Sequence, residues 1–208
     1  MARTTGSDGA RTQAAIRAAA IDLIAARGFE AVTLRAIAKR AGIQASSLYR
    51  YFPSKNDLLA TIVTLHLDDL LDRWNEERPA SGDARECLDA FVGFHVRYHS
   101  AKPKEVFIAN MEMRSLAPGD YKEVVARRKR YEEILRRILQ DGVEQGWFSV
   151  MDVQVTAYAI LAMLAVILLT DQLLFRPLVA WADKFKFEFA ESQNAPRSWF
   201  LELLRRTR

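Results

Sequence analysis

The 208-residue chain has the composition of an ordinary folded protein, with 50% hydrophobic and 27% charged residues, which excludes wholesale disorder. Its single cysteine, Cys87, excludes an internal disulfide and a cysteine-based metal site and fits a reducing compartment. The polar first eleven residues lack the apolar run of a signal peptide. The most apolar stretch, residues 155–169, is shorter than the roughly 18–20 residues that a membrane span requires. We therefore expect a cytoplasmic protein with no membrane partner, in which residues 155–169 form a buried helix.

Positive charge is concentrated at the start of the chain. Residues 1–55 carry nine basic and three acidic side chains, a net charge of +6, whereas the remainder carries 21 basic and 23 acidic side chains, a net charge of −2. A basic segment attached to a nearly neutral body is typical of a protein that binds a polyanion. A basic solvated surface has the same composition, so the charge alone leaves both interpretations open.

Helical periodicity dominates the first quarter of the chain. The first helix is predicted to end at Arg27, followed by Gly28 as its C-cap. A second, short helix begins after Thr33, a favourable N-cap, and is broken by Gly42. A third is predicted over residues 45–51, and a longer fourth helix begins after its N-cap, Ser54.

Beyond a linker at residues 79–82 the pattern remains helical, which predicts an all-α fold. Pro177 is expected to end the last long helix. After it, residues 184–189 alternate with the period of a strand, and a short terminal helix is possible at 198–206, so the tail after residue 177 is atypical. The four helices predicted between the linker and Pro177 cover residues 84–100, 104–116, 120–141 and 152–175.

The second and third helices have the spacing of a DNA-binding helix-turn-helix. The turn between them, residues 41–43, contains a small residue where the helices approach and a glycine suited to a left-handed turn. The third helix then presents a small or polar face that fits the major groove, flanked by groups suited to phosphate oxygens. That face consists of Gln44, Ala45, Ser46 and Ser47, and its flank of Tyr49, Arg50 and Lys55.

The run from Thr33 to Leu58 resembles the N-terminal domain of the TetR family of bacterial repressors, and residues 48–55, LYRYFPSK, resemble its most recognisable string. The likeness covers about residues 11–60. It implies an all-helical homodimer that binds a double-stranded DNA operator through residues 1–55 and a small-molecule effector through a larger domain, residues 56–208. Position by position, it assigns phosphate contacts to Thr33, Tyr49 and Lys55, base contacts to Gln44, Ala45 and Ser46, and further DNA contacts to Arg35, Ser47 and Arg50.

The C-terminal half contains aromatic residues and methionines at helical spacing, which fit a hydrophobic core and fit a plastic apolar pocket as well. An arginine facing such a pocket would be a natural anchor for an anionic ligand. Glu112 and Arg114, two charges in an apolar segment, could equally form an exposed pair. The candidate ligand-binding residues are Phe94, Tyr98, Phe107, Met111, Arg114, Tyr131 and Leu164.

Residues 99–158 also resemble TetR-type regulators of fatty-acid and related lipid degradation. That likeness implies an acyl-CoA or a related CoA thioester as effector, with Arg114 and the basic run 127–130 as candidate phosphate contacts. The basic run could instead be a solvated helix face. In this branch a glycine pair follows the run aromatic-Arg-Pro and a last amphipathic helix completes the dimer interface; here Leu178 and Val179 replace the glycines.

These observations favour a ligand-released repressor that acts as a homodimer on a pseudo-palindromic operator. An activator or a ligand-independent regulator with the same fold, or an effector of another small hydrophobic class, remains the alternative. We do not expect an enzyme, because the sequence contains no nucleophile–base constellation and no phosphate-binding loop. The three histidines and Cys87 have no ligand spacing, so neither a metal nor another cofactor is predicted.

Overall fold

The structure, a computed structural model, describes residues 7–80 and 82–183. Every regular element in these two ranges is helical, as the sequence predicts. Short non-α turns follow α6, at Met113–Ser115 (3₁₀), and α8, at Asp171–Phe175 (π). The helices are α1 (Ser7–Arg27), α2 (Leu34–Arg40), α3 (Ala45–Tyr49), α4 (Lys55–Glu77), α5 (Ala84–Ala101), α6 (Pro103–Met111), α7 (Pro118–Glu144), α8 (Val153–Thr170) and α9 (Arg176–Asp183).

The described residues form two compact units. The first contains residues 7–80 and 101–135, which comprise α1 to α4, α6 and the larger part of α7. The second contains residues 82–100 and 136–183, which comprise most of α5, the end of α7, α8 and α9. The functional division at residue 55 remains a prediction, since these units describe packing within the chain only.

The ends of the first four helices follow the predicted capping chemistry. Gly28 adopts a φ of +78° directly after α1, a conformation that side chains with a Cβ rarely adopt. Thr33 accepts the Ala36 N–H at 3.2 Å through its hydroxyl group, which stabilises the start of α2 by about 1 kcal/mol. At the start of α4, Ser54 and Asp57 form a reciprocal capping box. Only α3 differs, because it ends at Tyr49 and not at residue 51.

The core of the first unit fixes the position of α2 and α3. Ile37 and Leu48, one from each helix, are completely buried. Such close packing lets neither helix rotate without exposing apolar surface, at a cost of about 25 cal/mol per Å². The other completely buried aliphatic side chains in α1, α4 and α6 are Ile16, Ala20, Ile24, Leu58, Leu59 and Ile108.

Three prolines lie in the first turns of helices, where no intrahelical N–H donor is required. Pro103 and Pro118 are the first residues of α6 and α7. Pro177 is the second residue of α9, so the prediction that it ends the last helix is wrong. The π turn at residues 171–175 lies just before it, and a backbone widened in this way tolerates a proline that would break a regular α-helix.

Helix α8 is helical as predicted, but the expectation that residues 155–169 are buried is wrong for the chain by itself. Only Ala157 and Leu164 are buried in it, and most of its other apolar side chains are exposed to solvent. With 18 residues and a mean hydropathy of 2.2, the helix is long and apolar enough to cross a membrane by length and composition alone. A helix that pairs with another protein surface meets the same criterion.

The strand pattern at residues 184–189 and the possible helix at 198–206 lie outside the described residues.

Candidate functional site

The helix-turn-helix is held by backbone hydrogen bonds across its turn. The Ile43 N–H donates to the Ala38 carbonyl at 3.0 Å, and the Ala41 N–H donates to the Ile37 carbonyl at 2.8 Å. Gly42 adopts a φ of +71°, the left-handed conformation that the sequence predicted for this glycine. The turn therefore fixes the direction in which α3 leaves α2.

One face of α3 and its start is accessible. Gln44 is the N-cap of α3 and is exposed, as is Ser46, while Ala45 and Ser47 are partly exposed. The Tyr49 side chain is 50% exposed although the adjacent Leu48 is completely buried. Small and polar groups thus cover the surface that a major groove would meet, and the apolar residues of α3 face the core.

Three exposed cations lie within the helix-turn-helix. Arg35, Lys39 and Arg50 are exposed and have no acidic partner within the ranges that the structure describes. Thr33, a predicted phosphate contact, is exposed at the N-cap of α2. Three of the nine basic side chains in residues 1–55 are therefore accessible on the helix-turn-helix.

The Lys55 side chain mainly contacts other residues of the first unit. Its ammonium group donates to the Phe29 carbonyl at 2.9 Å and lies 4.2 Å from the centre of the Phe29 ring. It also lies 4.0 Å from the carboxylate of Glu30, and its side chain is 22% exposed. Lys55 therefore joins the start of α4 to the turn between α1 and α2, and its predicted phosphate contact remains a proposal.

Glu112 makes the second link to that turn. It follows α6 as its C-cap and is only 8% exposed, and its Oε1 atom accepts the Phe29 N–H at 3.0 Å. Three residues further along the chain, the Ser115 carbonyl accepts a hydrogen bond from the Asn56 side chain at 3.0 Å. The segment that follows α6 therefore contacts both the turn before α2 and the start of α4.

An ionic cluster provides a further connection at the other end of α6. The carboxylate of Asp22, on α1, accepts from Lys104 at 2.5 Å and from Arg40 at 3.1 Å. These hydrogen bonds, that from Lys104 first, lower the pKa of Asp22. Because Arg40 is the last residue of α2 and Lys104 is the second residue of α6, Asp22 joins the helix-turn-helix to α6.

The predicted effector residues of the first unit differ in accessibility. Tyr131 is 6% exposed, and burial raises its pKa. Phe107 is half-buried, whereas Met111 is 51% exposed and Arg114 is exposed. Arg114 lies in the 3₁₀ turn at Met113–Ser115 and does not pair with Glu112, whose carboxylate points to Phe29.

The predicted effector residues of the second unit are all buried. Phe94, Tyr98 and Leu164 are 2%, 6% and 5% exposed. The rings of Phe94 and Tyr98 lie 5.6 Å apart on α5, next to a stacked pair formed by His95 and His99. Burial, and after it the charge of His99, lowers the pKa of His95 to about 3. Within the described ranges, no three His, Cys, Asp or Glu side chains form a group that could hold a metal ion.

The sequence identified the helix-turn-helix face but missed the residues that connect it to the rest of its unit. Asp22 is an acidic residue in a segment with an apolar period, and Glu112 is an acidic residue next to an apolar run. An acidic residue within an apolar segment was the one sequence feature that could have indicated these connecting residues. Their partners lie 18 to 83 residues away along the chain, a separation that periodicity does not address.

Comparison with known proteins finds a matching family model for each half of the chain. The model of bacterial regulatory proteins of the tetR family matches residues 16–62, and the model of a tetracyclin repressor-like C-terminal domain matches residues 81–168. A curated relative, the HTH-type transcriptional repressor KstR2 of Rhodococcus jostii, is 32% identical over 153 residues, which are 73% of this chain and 74% of that protein. The chain belongs to the TetR family. It is therefore a DNA-binding transcriptional regulator.

Solved structures share the fold of this TetR-family chain. The transcriptional regulator FadR of Bacillus subtilis, solved in complex with stearoyl-CoA, has a TM-score of 0.66 at 22% identity and covers 84% of this chain and 89% of its own. AibR, solved in complex with isovaleryl coenzyme A and operator DNA, has a TM-score of 0.66 at 21% identity and covers 93% and 96%. At these identities the likeness establishes the fold of both halves.

Proposed function

We propose that this chain is a repressor that binds a pseudo-palindromic operator as a homodimer and is released by a small-molecule effector. The observation that carries the proposal is the accessible polar face of α3, together with the exposed cations Arg35, Lys39 and Arg50 of the same two helices. Gln44, Ala45 and Ser46 contact base edges in the major groove, with Ser47 beside them. Thr33, Tyr49 and Lys55 contact phosphates, and Arg35 and Arg50 make further DNA contacts. The phosphate contacts fix the register, and the α3 face selects the sequence.

The dimer is supported by the exposed apolar face of α8. Val155, Met163 and Val166 are each at least 60% exposed, and Leu169 is 50% exposed. These positions recur at helical spacing, so a second copy of the same helix can cover them in an isologous contact. Two helix-turn-helix units on one dimer then read two half-sites about 34–36 Å apart or at a multiple of that distance.

The effector class that we propose is an acyl-CoA or a related CoA thioester. The support is that FadR and AibR, which share this fold, were solved with stearoyl-CoA and isovaleryl coenzyme A. The proposed effector-binding residues of the second unit are the buried Phe94, Tyr98 and Leu164. Those of the first unit are Phe107 and Tyr131, together with the exposed Met111 and Arg114. A different small hydrophobic effector would use the same apolar residues.

Release requires that the effector favour a conformation that binds the operator poorly. A hundredfold loss of affinity corresponds to about 2.7 kcal/mol of coupling between the two sites. The route that we propose for this coupling runs along α6, since Lys104 at its start and Glu112 after its end bind residues next to the helix-turn-helix. A displacement of α6 would therefore move the turn that precedes α2.

Recovery of genomic fragments tests the proposal. The purified full chain is mixed with sheared genomic DNA of its source organism, and the retained fragments are sequenced with and without a panel of CoA thioesters from isovaleryl-CoA to stearoyl-CoA. We expect enrichment of a few fragments that share an inverted repeat, and loss of that enrichment with one thioester. Enrichment that no thioester changes would favour a ligand-independent regulator. Retention of all sequences alike would contradict the operator.

A further inference from the structure

The four basic residues at positions 127–130 of α7 have different surroundings. Arg127 is ion-paired, with its Nε atom 2.8 Å from a carboxylate oxygen of Asp68 and its Nη1 atom 3.4 Å from Glu123. Lys129 and Arg130 are exposed. Arg128 alone in this run is partly buried without a carboxylate partner within the described residues.

The guanidinium of Arg128 is only partly satisfied by the protein. Its Nη2 atom donates to the Ala109 carbonyl at 2.5 Å and to Oδ1 of Asn110 at 2.9 Å. Its Nε atom is buried and has no acceptor in the part of the chain that the structure describes. Both acceptors are neutral, so the positive charge is partly removed from water without a negative charge to balance it among the described residues, and burial lowers the pKa of this arginine.

This arrangement of the Arg128 guanidinium favours the binding of an anion. A guanidinium that has left water is stabilised best by a carboxylate or a phosphate, which accepts two charge-assisted hydrogen bonds from adjacent N–H groups. Removing a charge from water without such a partner is costly, and the neutral carbonyl at the end of a helix offsets only part of the cost.

We propose that Arg128 is the anchor for an anionic group of the effector and that it couples this group to the C-terminal turn of α6. The inference rests on the proposed function, because it presupposes an effector. Ala109 and Asn110 lie in the last turn of α6, and Glu112 follows that turn and holds the Phe29 N–H. An anion that pairs with Arg128 competes with the end of α6 for the same guanidinium. The end of α6 is thereby released and the link from Glu112 to the turn before α2 is strained.

The anionic group has two chemical sources in this class of effector, a phosphate of coenzyme A or a free carboxylate. Three probes with one acyl chain separate them. The S-acyl-CoA carries phosphates, the S-acyl-pantetheine is a neutral thioester, and the free fatty acid carries only a carboxylate. The acyl chain is that of the thioester that releases the wild-type protein from DNA at the lowest concentration.

The test measures the probe concentration that releases half of the bound operator in wild-type protein, Arg128→Gln and Lys122→Gln. Lys122→Gln is the matched control, because it removes one positive charge from an exposed side chain of the same helix, outside the basic run 127–130. Arg128→Lys retains the charge but not the paired N–H geometry, and Asn110→Ala removes one protein acceptor from Arg128. Thermal denaturation of each variant shows that it is folded.

In wild-type protein and Lys122→Gln we expect one of the two anionic probes, the S-acyl-CoA or the free fatty acid, to act at a concentration about tenfold or more below that of the neutral thioester. In Arg128→Gln this preference disappears, while the neutral thioester acts as before. Asn110→Ala is expected to need less of the anionic probe than wild type. Preference for the CoA thioester identifies the phosphate, and preference for the fatty acid identifies the carboxylate.

Two outcomes overturn the inference in different ways. An anionic preference that is the same in Arg128→Gln and wild type removes Arg128 as the anchor and leaves the proposed function intact. The same holds if Arg128→Gln only lowers the melting temperature, since that indicates a purely structural role at the end of α6. If no probe releases wild-type protein from a confirmed operator, the proposed effector class fails and the anchor fails with it.

Discussion

The Oε1 atom of Glu112 accepts the backbone N–H of Phe29 at 3.0 Å, although the two residues are 83 positions apart in the chain. Phe29 lies in the turn between α1 and α2, and its carbonyl accepts a second bond, from Lys55. One turn of the backbone is thus held from both sides, by the C-cap of α6 and by the first residue of α4. The orientation of the helix-turn-helix therefore depends on the position of the end of α6.

Replacement of Glu112 tests this link. In Glu112→Ala the Phe29 N–H is left buried without its acceptor, so we expect unfolding to be easier by about 1–3 kcal/mol. For a chain of this length that lowers the melting temperature by roughly 2–4 °C per kcal/mol. Glu112→Gln keeps an oxygen acceptor in the same place, so we expect its melting temperature to fall less than that of Glu112→Ala. Equal melting temperatures for the two variants would show that the hydrogen bond contributes nothing.

The two classes of DNA contact are separable by mutation. Tyr49→Ala removes a predicted phosphate contact, so affinity should fall by a similar factor on every DNA sequence, whereas Gln44→Ala removes a predicted base contact. We expect the second variant to change discrimination at one base pair of each half-site by about 1–3 kcal/mol. Binding of both variants to an operator and to its single-base substitutions measures this. Sequence-independent losses in both would contradict the assignment.

The exposed face of α8 predicts a dimer that a single charge disrupts. Val166 is 60% exposed at the middle of that face, and Val166→Lys would place an ammonium group within the proposed contact. We expect this variant to sediment as a monomer and to lose operator affinity, since only a dimer reads both half-sites. Met151→Lys is the matched control, because Met151 is fully exposed just before α8. A dimer that persists in Val166→Lys would place the interface elsewhere.

The buried His95 predicts a loss of stability in mild acid. Its pKa is lowered to about 3, chiefly by burial, whereas a histidine in an unfolded chain titrates near 6.5. Between these values the unfolded chain binds a proton that the folded chain does not, so stability is complete above pH 6.5 and falls as the pH falls. Between pH 7 and pH 5 we expect the free energy of unfolding of the wild type to fall by about 2 kcal/mol more than that of His95→Gln.

Urea denaturation of both proteins across this range gives the comparison. If His95→Gln had the same pH profile as wild type, His95 would not be buried in its neutral form.

The local features of the fold were predictable because they depend on neighbours in sequence. Thr33, Gly42 and Ser54 each set a helix boundary through their own backbone preference or side chain, and the structure has those boundaries where the sequence indicates. The end of the last helix was not predictable from Pro177, because proline stops a regular α-helix but not one that widens into a π turn just before it.

Features that depend on distant partners or other molecules were not accessible to the same reasoning. An apolar run indicates that a helix is buried against another surface, but not whether its own chain provides that surface. In α8 most apolar side chains are exposed in the described chain. Likewise, the sequence does not distinguish the side chains of the basic run at positions 127–130. Arg127 differs from its neighbours because it pairs with Asp68 of α4, and Arg128 differs because it donates to the Ala109 carbonyl of α6.

The most direct test of the account is fluorescence anisotropy of the purified chain on the DNA upstream of its own gene, in excess competitor DNA, with the CoA thioester panel. We predict tight binding that one thioester weakens by about a hundredfold or more, the equivalent of about 2.7 kcal/mol of coupling. Binding that resists every thioester would contradict the effector class and retain the regulator. If no competitor-resistant binding occurred there or on any genomic fragment, the helix-turn-helix would not be reading DNA, and the central claim would be wrong.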